Sequence, residues 1–276
     1  MTVSRRYAAI LTVLLTLLAL SGSHVCAETS DAPAAPTAAR HTFTLEVGGY
    51  DREAILYVPK GMKAGDKLPL VLVLHGEGGT SETMLDKCRW AEKADDEGLL
   101  VLAPQGLPAM PRLESSFVTN PNLWNSGQLG RFSPRARIDD VAFISEMLNY
   151  VYRRVPYDAA RVFCTGHSNG GGMTFRLAAE LSDRFAAAGT VAGQMALSNP
   201  APETPLPMLY ILGTEDPLLP IEGGEITSLW GTRTTGPVAD FLATWAKAIG
   251  CSTEPKVVSE KDDVQRVEYA TGDEGR

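Results

Sequence analysis

Val162-Phe163-Cys164-Thr165-Gly166-His167-Ser168-Asn169-Gly170-Gly171-Gly172-Met173 is the stretch on which the fold turns. A short apolar run leads into Gly-x-Ser-x-Gly, and a helix-like stretch follows it to residue 181. That order of strand, sharp turn and helix places a serine hydroxyl at the top of a sheet, where it can act as a nucleophile. The turn demands a strained serine backbone, and small residues two positions to either side let strand and helix pack closely around it. Ser168 is therefore the candidate nucleophile.

The flanking sequence fits that setting. Residues 70–74 and 99–103 are continuous apolar runs, as expected of central strands covered on both faces. Residues 162–165, 187–191 and 208–212 continue the series, and residues 41–47 and 53–58 read as an antiparallel opening pair around Gly48-Gly49. Helices are expected over residues 83–93 and from Asp139, with Val141, Ile144, Met147, Leu148 and Val151 on one face, and again from Pro237 to about residue 249. Residues 256–259 and 264–269 read as late strands. Strands alternating with helices imply an α/β fold with a doubly wound, mostly parallel sheet. Residues 104–138 hold five prolines with little periodicity. A loop that long, following a central strand, belongs at the carboxyl edge of the sheet, where open α/β folds bind ligands.

Serine chemistry needs more than a serine. The orienting acid should follow a later strand, and Asp216 in Thr214-Glu215-Asp216-Pro217 is the choice, with Glu215 its local competitor. Oxyanion donors are expected from the backbone N–H of Asn169 and from the turn His75-Gly76-Glu77-Gly78-Gly79, where the N–H of Glu77 is selected. No Gly-Lys-Ser/Thr follows those glycines, which excludes a P-loop reading. Trp124 and Asn125, in the long loop, are candidate substrate-binding residues; Trp124 with the loop of residues 104–138 would give an aromatic platform for a ferulate or a sugar, and a buried tryptophan is the competing reading.

These motifs resemble the polyhydroxybutyrate depolymerase/feruloyl esterase family. The resemblance rests on Leu74-His75-Gly76-x-Gly78-Gly79, Trp124-Asn125, Asp139-Asp140-Val141-x-Phe143-Ile144, the serine elbow with its glycines, Gly213-Thr214-Glu215-Asp216-Pro217 with Gly223-Gly224, and Trp245 with Gly250-Cys251. It spans roughly residues 43–269 and implies an α/β-hydrolase that cleaves carboxylic esters with no metal or organic cofactor. It further implies that Ser168 and Asp216 are catalytic, and that the partner is an ester substrate, such as a feruloyl or acetyl ester of plant cell-wall polysaccharide, or a polyester.

The base is missing from this pattern. The histidines are His24, His41, His75 and His167, and none follows Asp216, although the triad of such hydrolases runs Ser, Asp, His. The resemblance implies a further strand and a Gly-His-x-Trp-Pro-Gly turn soon after Tyr269. The expectation is a chain truncated at the C-terminus, lacking the final strand and helix, nearly inactive, with its histidine beyond Arg276. A non-catalytic binding protein on a degenerate hydrolase scaffold is the alternative.

Residues 1–27 read as an export signal: Arg5 and Arg6, an uncharged core over residues 8–20, then Val25-Cys26-Ala27. Ser4-Arg5-Arg6 leaves Sec and twin-arginine export both open. The core is shorter than the ~20 residues that span a bilayer, so no stable membrane anchor is expected. Residues 28–40, rich in Ala, Pro, Thr and Ser, read as a disordered linker before a hydrolase domain over residues 41–276. The expected product is a secreted monomer, extracellular or periplasmic. Loss of the signal removes two arginines and no acid, taking the net charge from −8 to −10. Such acidity argues against a nucleic-acid partner. Cys88 and Cys251 are open to pairing or to remaining free, Cys164 reads as a buried thiol, and no Cys/His spacing suggests a metal.

Overall fold

The computed structural model describes residues 39–228 and 231–271. The export signal, and the linker as far as residue 38, lie outside the described residues. The linker's last two residues do not: Ala39 and Arg40 begin β1 (Ala39–Val47), paired with Val58 and Tyr57 of β2 (Tyr50–Val58). The Arg40 guanidinium also reaches Glu82 at 3.0 Å and bonds to Asp86. Composition cannot see a ladder partner, so the strand starts earlier than the polar run suggests. Gly48 and Gly49, at φ of 62° and 78°, form the two-residue turn between β1 and β2, the conformation that suits the twist of a tight hairpin.

β3 (Leu70–Leu74) and β4 (Leu100–Pro104) are wholly buried. With β5 (Val162–His167), β6 (Ala187–Val191) and β7 (Met208–Ile211) they complete a seven-stranded sheet in the order β1-β2-β4-β3-β5-β6-β7. Its strands from β4 to β7 run parallel, and β2 joins β4 antiparallel. Strand alternation sorts the core into two layers. Leu70, Leu72 and Leu74 pack in the larger cluster with helices α3, α4 and α5 (Asp140–Arg154, Asn169–Glu180 and Val238–Ala248). Val71 and Val73 face the other layer, with Met84, Leu85 and Ala94 of α1 (Ser81–Asp86) and α2 (Trp90–Glu97). This is the architecture of the α/β-hydrolase fold.

Two local expectations need correction. The single helix over residues 83–93 is two helices, because Lys87 and Cys88 both donate to the Thr83 carbonyl and Arg89 adopts a left-handed φ of 58°. That break ends α1 and re-aims α2, so that Ala94 packs against the sheet. The late strands do form, as β10 (Lys256–Lys261) and β11 (Val264–Glu268), but they pair with one another and with no described strand of the central sheet. A further hairpin, β8 (Gly224–Ser228) with β9 (Gly231–Thr235), has no counterpart in the sequence reading. Cys88, Cys164 and Cys251 are all free thiols. No helix among the described residues is long and apolar enough to cross a membrane.

Asp139 caps α3 by accepting from the Ala142 N–H at 2.9 Å. Its neighbour Asp140 is fully buried and accepts from Arg52 at 2.7 Å, from Arg135 at 2.6 Å and from the Asn125 N–H at 2.7 Å. One carboxylate thus serves two buried guanidiniums. Arg52 also lies 3.9 Å over the Phe143 ring, and desolvation pulls its pKa below the usual arginine value against the pull of Asp140. Removing one partner from such a cluster strands uncompensated charge, which costs about 3–5 kcal/mol. Asp140→Ala should therefore lower unfolding free energy by about that amount, and Asp139→Ala by only about 1 kcal/mol, the usual loss of a helix cap. Urea titrations of the two variants beside the parent check this.

Candidate active site

Ser168 joins β5 to α4 with φ 54° and ψ −122°, a conformation rare for a residue with a side chain. Holding it costs about 1–3 kcal/mol. The strain is met by backbone bonds: the Ser168 N–H donates to Val191 O at 2.9 Å, and Ser168 O accepts from the Gly172 N–H at 3.0 Å. The two flanking glycines are required by contact. A Cβ on Gly166 would sit 2.3 Å from Gly170 O, and one on Gly170 would sit 2.4 Å from His75 O. No larger residue fits without moving backbone, which is why the elbow is so legible in sequence.

The glycine turn after β3 lies beside this elbow. Gly78 N donates to Asn122 O at 2.8 Å, Gly79 N to Gly76 O at 2.9 Å, and Asn122 Nδ2 to Gly79 O at 3.2 Å. Glu77 N–H and Asn169 N–H, the expected oxyanion donors, make no hydrogen bond among the described residues. Both residues border the hollow that holds Ser168, and Asn169 opens α4, where the helix dipole favours negative charge. The Glu77 side chain is half-buried in that hollow; desolvation raises its pKa, and the positive charge of Arg233 partly opposes the rise.

Asp216 lies in the turn after β7. Its Oδ1 accepts from the N–H groups of Leu218 at 2.8 Å and Leu219 at 3.0 Å, which fixes the carboxylate. Glu215 is exposed and has no such bonds among the described residues. The turns bearing Ser168 and Asp216 leave the same ends of β5 and β7, with β6 between them: Ser168 bonds to Val191, and Ala192 bonds onward to Ile211. Strand spacing puts the two turns about 10 Å apart, a gap that an imidazole could bridge between hydroxyl and carboxylate. Leu218 borders both the hollow at Asp216 and the one at Ser168.

None of the described histidines occupies that gap. His41 lies in β1 opposite Leu56. His167 is exposed, and its ring lies against Gly76, on the oxyanion-turn side of Ser168. His75 is buried with both ring nitrogens engaged: Nε2 accepts from the Gly106 N–H at 2.9 Å, and Nδ1 donates to Gly76 O at 2.7 Å. Burial lowers its pKa to about 4, so it stays neutral and shapes the turn.

Trp124 and Asn125 do not form a substrate platform. Trp124 is 0% exposed. Its indole N–H donates to His75 O at 2.9 Å, its backbone N–H to Asn169 Oδ1 at 2.6 Å, and its carbonyl accepts from Asn169 Nδ2 at 3.1 Å. It therefore clamps the glycine turn to the elbow from behind. Asn125 is also buried, and its side-chain amide donates to the carbonyls of Ala136 and Ile138, both at 3.1 Å. The aromatic residue expected at the ligand edge serves the scaffold, because the loop needs its own polar groups satisfied. The residues that do share the hollow with Ser168 include Gln128, Gln194, Ile226 and Arg233. No motif marks them; they converge from separate loops and the β8–β9 hairpin.

The arrangement is a serine-hydrolase elbow on an α/β-hydrolase sheet. Residues 46–275 match the family model described as "Putative esterase", and the chain belongs to that esterase family. It is 32% identical over 243 residues to "Putative esterase NocK" of Nocardia uniformis subsp. tsuyamanensis, covering 80% of this chain and 67% of that one. It is 30% identical over 173 residues to feruloyl esterase C of Emericella nidulans, covering 63% of this chain. The matched part spans 58% of that esterase's length. The crystal structure of native sOPH superposes with a TM-score of 0.59 at 18% identity, covering 79% of this chain and 80% of that one, a likeness of fold.

His75 carries a stability consequence. Its native pKa of about 4 lies below the unfolded value near 6.5, so between those values the unfolded chain binds a proton that the native state does not. Stability from this group is complete above the unfolded value and is lost as pH falls through that window, by about 3 kcal/mol in all. His75→Gln should flatten the fall of unfolding free energy between neutral pH and pH ~4 relative to the parent, as read from urea titrations at a series of pH values.

Proposed function

We propose that this chain is an exported serine carboxylester hydrolase, with Ser168 as nucleophile and Asp216 as the acid that orients a histidine base. The observation that carries the reading is the positive-φ Ser168 beside two N–H groups, those of Glu77 and Asn169, that are unengaged among the described residues. In this reading Ser168 Oγ attacks the ester carbonyl while the base takes its proton. The oxyanion forms against the two N–H groups, and the alcohol leaves with the proton returned by the base. Water then cleaves the acyl-enzyme by the same steps and frees the serine. The substrate is proposed to be a carboxylic ester, from the set of feruloyl or acetyl esters of plant polysaccharide and polyester-type esters that the relatives' names and the motifs of the elbow and glycine turn suggest. Export is proposed from the sequence of residues 1–27 alone.

One observation favours a second reading, a binding protein on a hydrolase scaffold: no described histidine faces the space between Ser168 and Asp216. The two readings separate by chemical rescue. A polypeptide of these 276 residues should hydrolyse p-nitrophenyl acetate slowly, because a triad without its base loses orders of magnitude in rate. Added imidazole should raise the Ser168-dependent rate at least about tenfold and saturably, since it can enter the gap beside Asp216. The gain is taken over the same reaction with Ser168→Ala, which reports imidazole's own reactivity. An imidazole effect no larger than that seen with Ser168→Ala undoes the reading, and so does an Asp216→Ala variant rescued as well as the parent.

A further inference from the structure

The roof of the Ser168 hollow belongs to neither the sheet nor the helices. β8 and β9 bond to one another and to no other described strand, and most of their residues are exposed. Ile226 and Thr235 are buried, at 3% and 4% exposure. A two-stranded hairpin alone is marginal in water, so its position depends on those side chains and a few polar ties. Gln194 Nε2 donates to Thr235 Oγ1, Arg233 Nη2 donates to Leu218 O at 3.3 Å, and Val238 N donates to Ile221 O at 2.9 Å at the hairpin's base.

Ile226 and Arg233 line the hollow with Ser168 and leave a cavity of about 40 Å³. That is room for about two or three water-sized groups. Pockets that enclose a drug-sized ligand measure about 300–1,000 Å³. An acetyl methyl fits such a space; the ring, propenyl arm and methoxyl of a ferulate do not. The hairpin reaches the hollow through side chains, so shortening one enlarges the space with no need to move the backbone. The rest of the lining includes Gln128, Gln194 and Glu77, groups suited to hydroxyls rather than to a flat ring.

We propose that Ile226, backed by Arg233, sets the acyl size this site accepts: the hairpin admits acetyl-sized groups beside Ser168 and excludes aromatic acids. The inference deepens the esterase reading and rests on it, and its test needs no turnover. The full chain carrying Ser168→Ala is titrated with methyl ferulate, and binding is followed by saturation-transfer NMR and calorimetry. Adding Ile226→Ala should tighten binding at least about tenfold, and Arg233→Ala by a smaller factor, about threefold. Arg233 is exposed and outside the apolar core, so its truncation costs one exposed hydrogen bond, to Leu218 O, and decides the matter if Ile226→Ala fails to fold by circular dichroism. The proposal is overturned if the Ser168→Ala chain already binds methyl ferulate as tightly as the enlarged variants, or if neither truncation tightens binding. A failed imidazole rescue, by contrast, counts against the chemistry at Ser168 and leaves this binding comparison readable.

Discussion

Everything at the catalytic end depends on one steric constraint, the contact of the elbow with the end of β3. A Cβ on Gly170 would sit 2.4–2.5 Å from the carbonyl oxygens of His75 and Leu74, so the backbones touch there with nothing between them. That contact brings the glycine turn and the first turn of α4 together. Two peptide N–H groups then border one hollow with no partner among the described residues, while Ser168 is held in a backbone conformation that its neighbours over-determine. A preorganised pair of donors is worth most where it need not reorganise during reaction. Here the rigidity comes from backbone contact.

Behind this contact lies a chain of buried polar groups. Asp140 holds Arg52, Arg135 and the Asn125 N–H; Arg135 also donates to Leu123 O at 2.8 Å; Trp124 holds Asn169 and His75. The long loop after β4 is thereby ordered. Asn120 serves the same end further out, donating to the carbonyls of Met110, Leu113 and Glu114 at 2.8–3.3 Å. Buried backbone groups must find partners, and a proline-rich loop with little regular secondary structure finds many of them in asparagine, arginine and tryptophan side chains. Residues that look like ligand contacts when read along the chain are therefore absorbed into support. The hollow at Ser168 is lined instead by side chains of the β8–β9 hairpin and by Gln128 and Gln194.

Much of this was legible in the residues themselves. The central strands β3 and β4 are apolar on every position because both faces are covered, and Gly166, Ser168 and Gly170 declare the elbow because nothing larger fits. Asp139 announces its helix because a cap is a local hydrogen bond. Asp216 could be ranked above Glu215 from its place after β7, and only its bonds to Leu218 and Leu219 show how its carboxylate is held. These features are set within a few residues of chain, so local chemistry is enough to read them.

What the tertiary structure alone decided involves residues far apart in sequence. Trp124 is interior because Asn169, 45 residues away, bonds both its peptide groups. Ala39 and Arg40 are strand because Val58 and Tyr57 lie opposite them. The helix expected over residues 83–93 breaks at Arg89, which re-aims α2 to pack against the sheet. His75 is disqualified as a base by a bond from Gly106, and the hollow at Ser168 is bordered by Ile226 from a hairpin with no sequence signal. The sequence alone determined the fold, its esterase elbow and the candidate acid, since those follow from periodicity and from steric demands written in neighbouring residues. Which side chains face the substrate is a matter of long-range packing, and no local pattern encodes it.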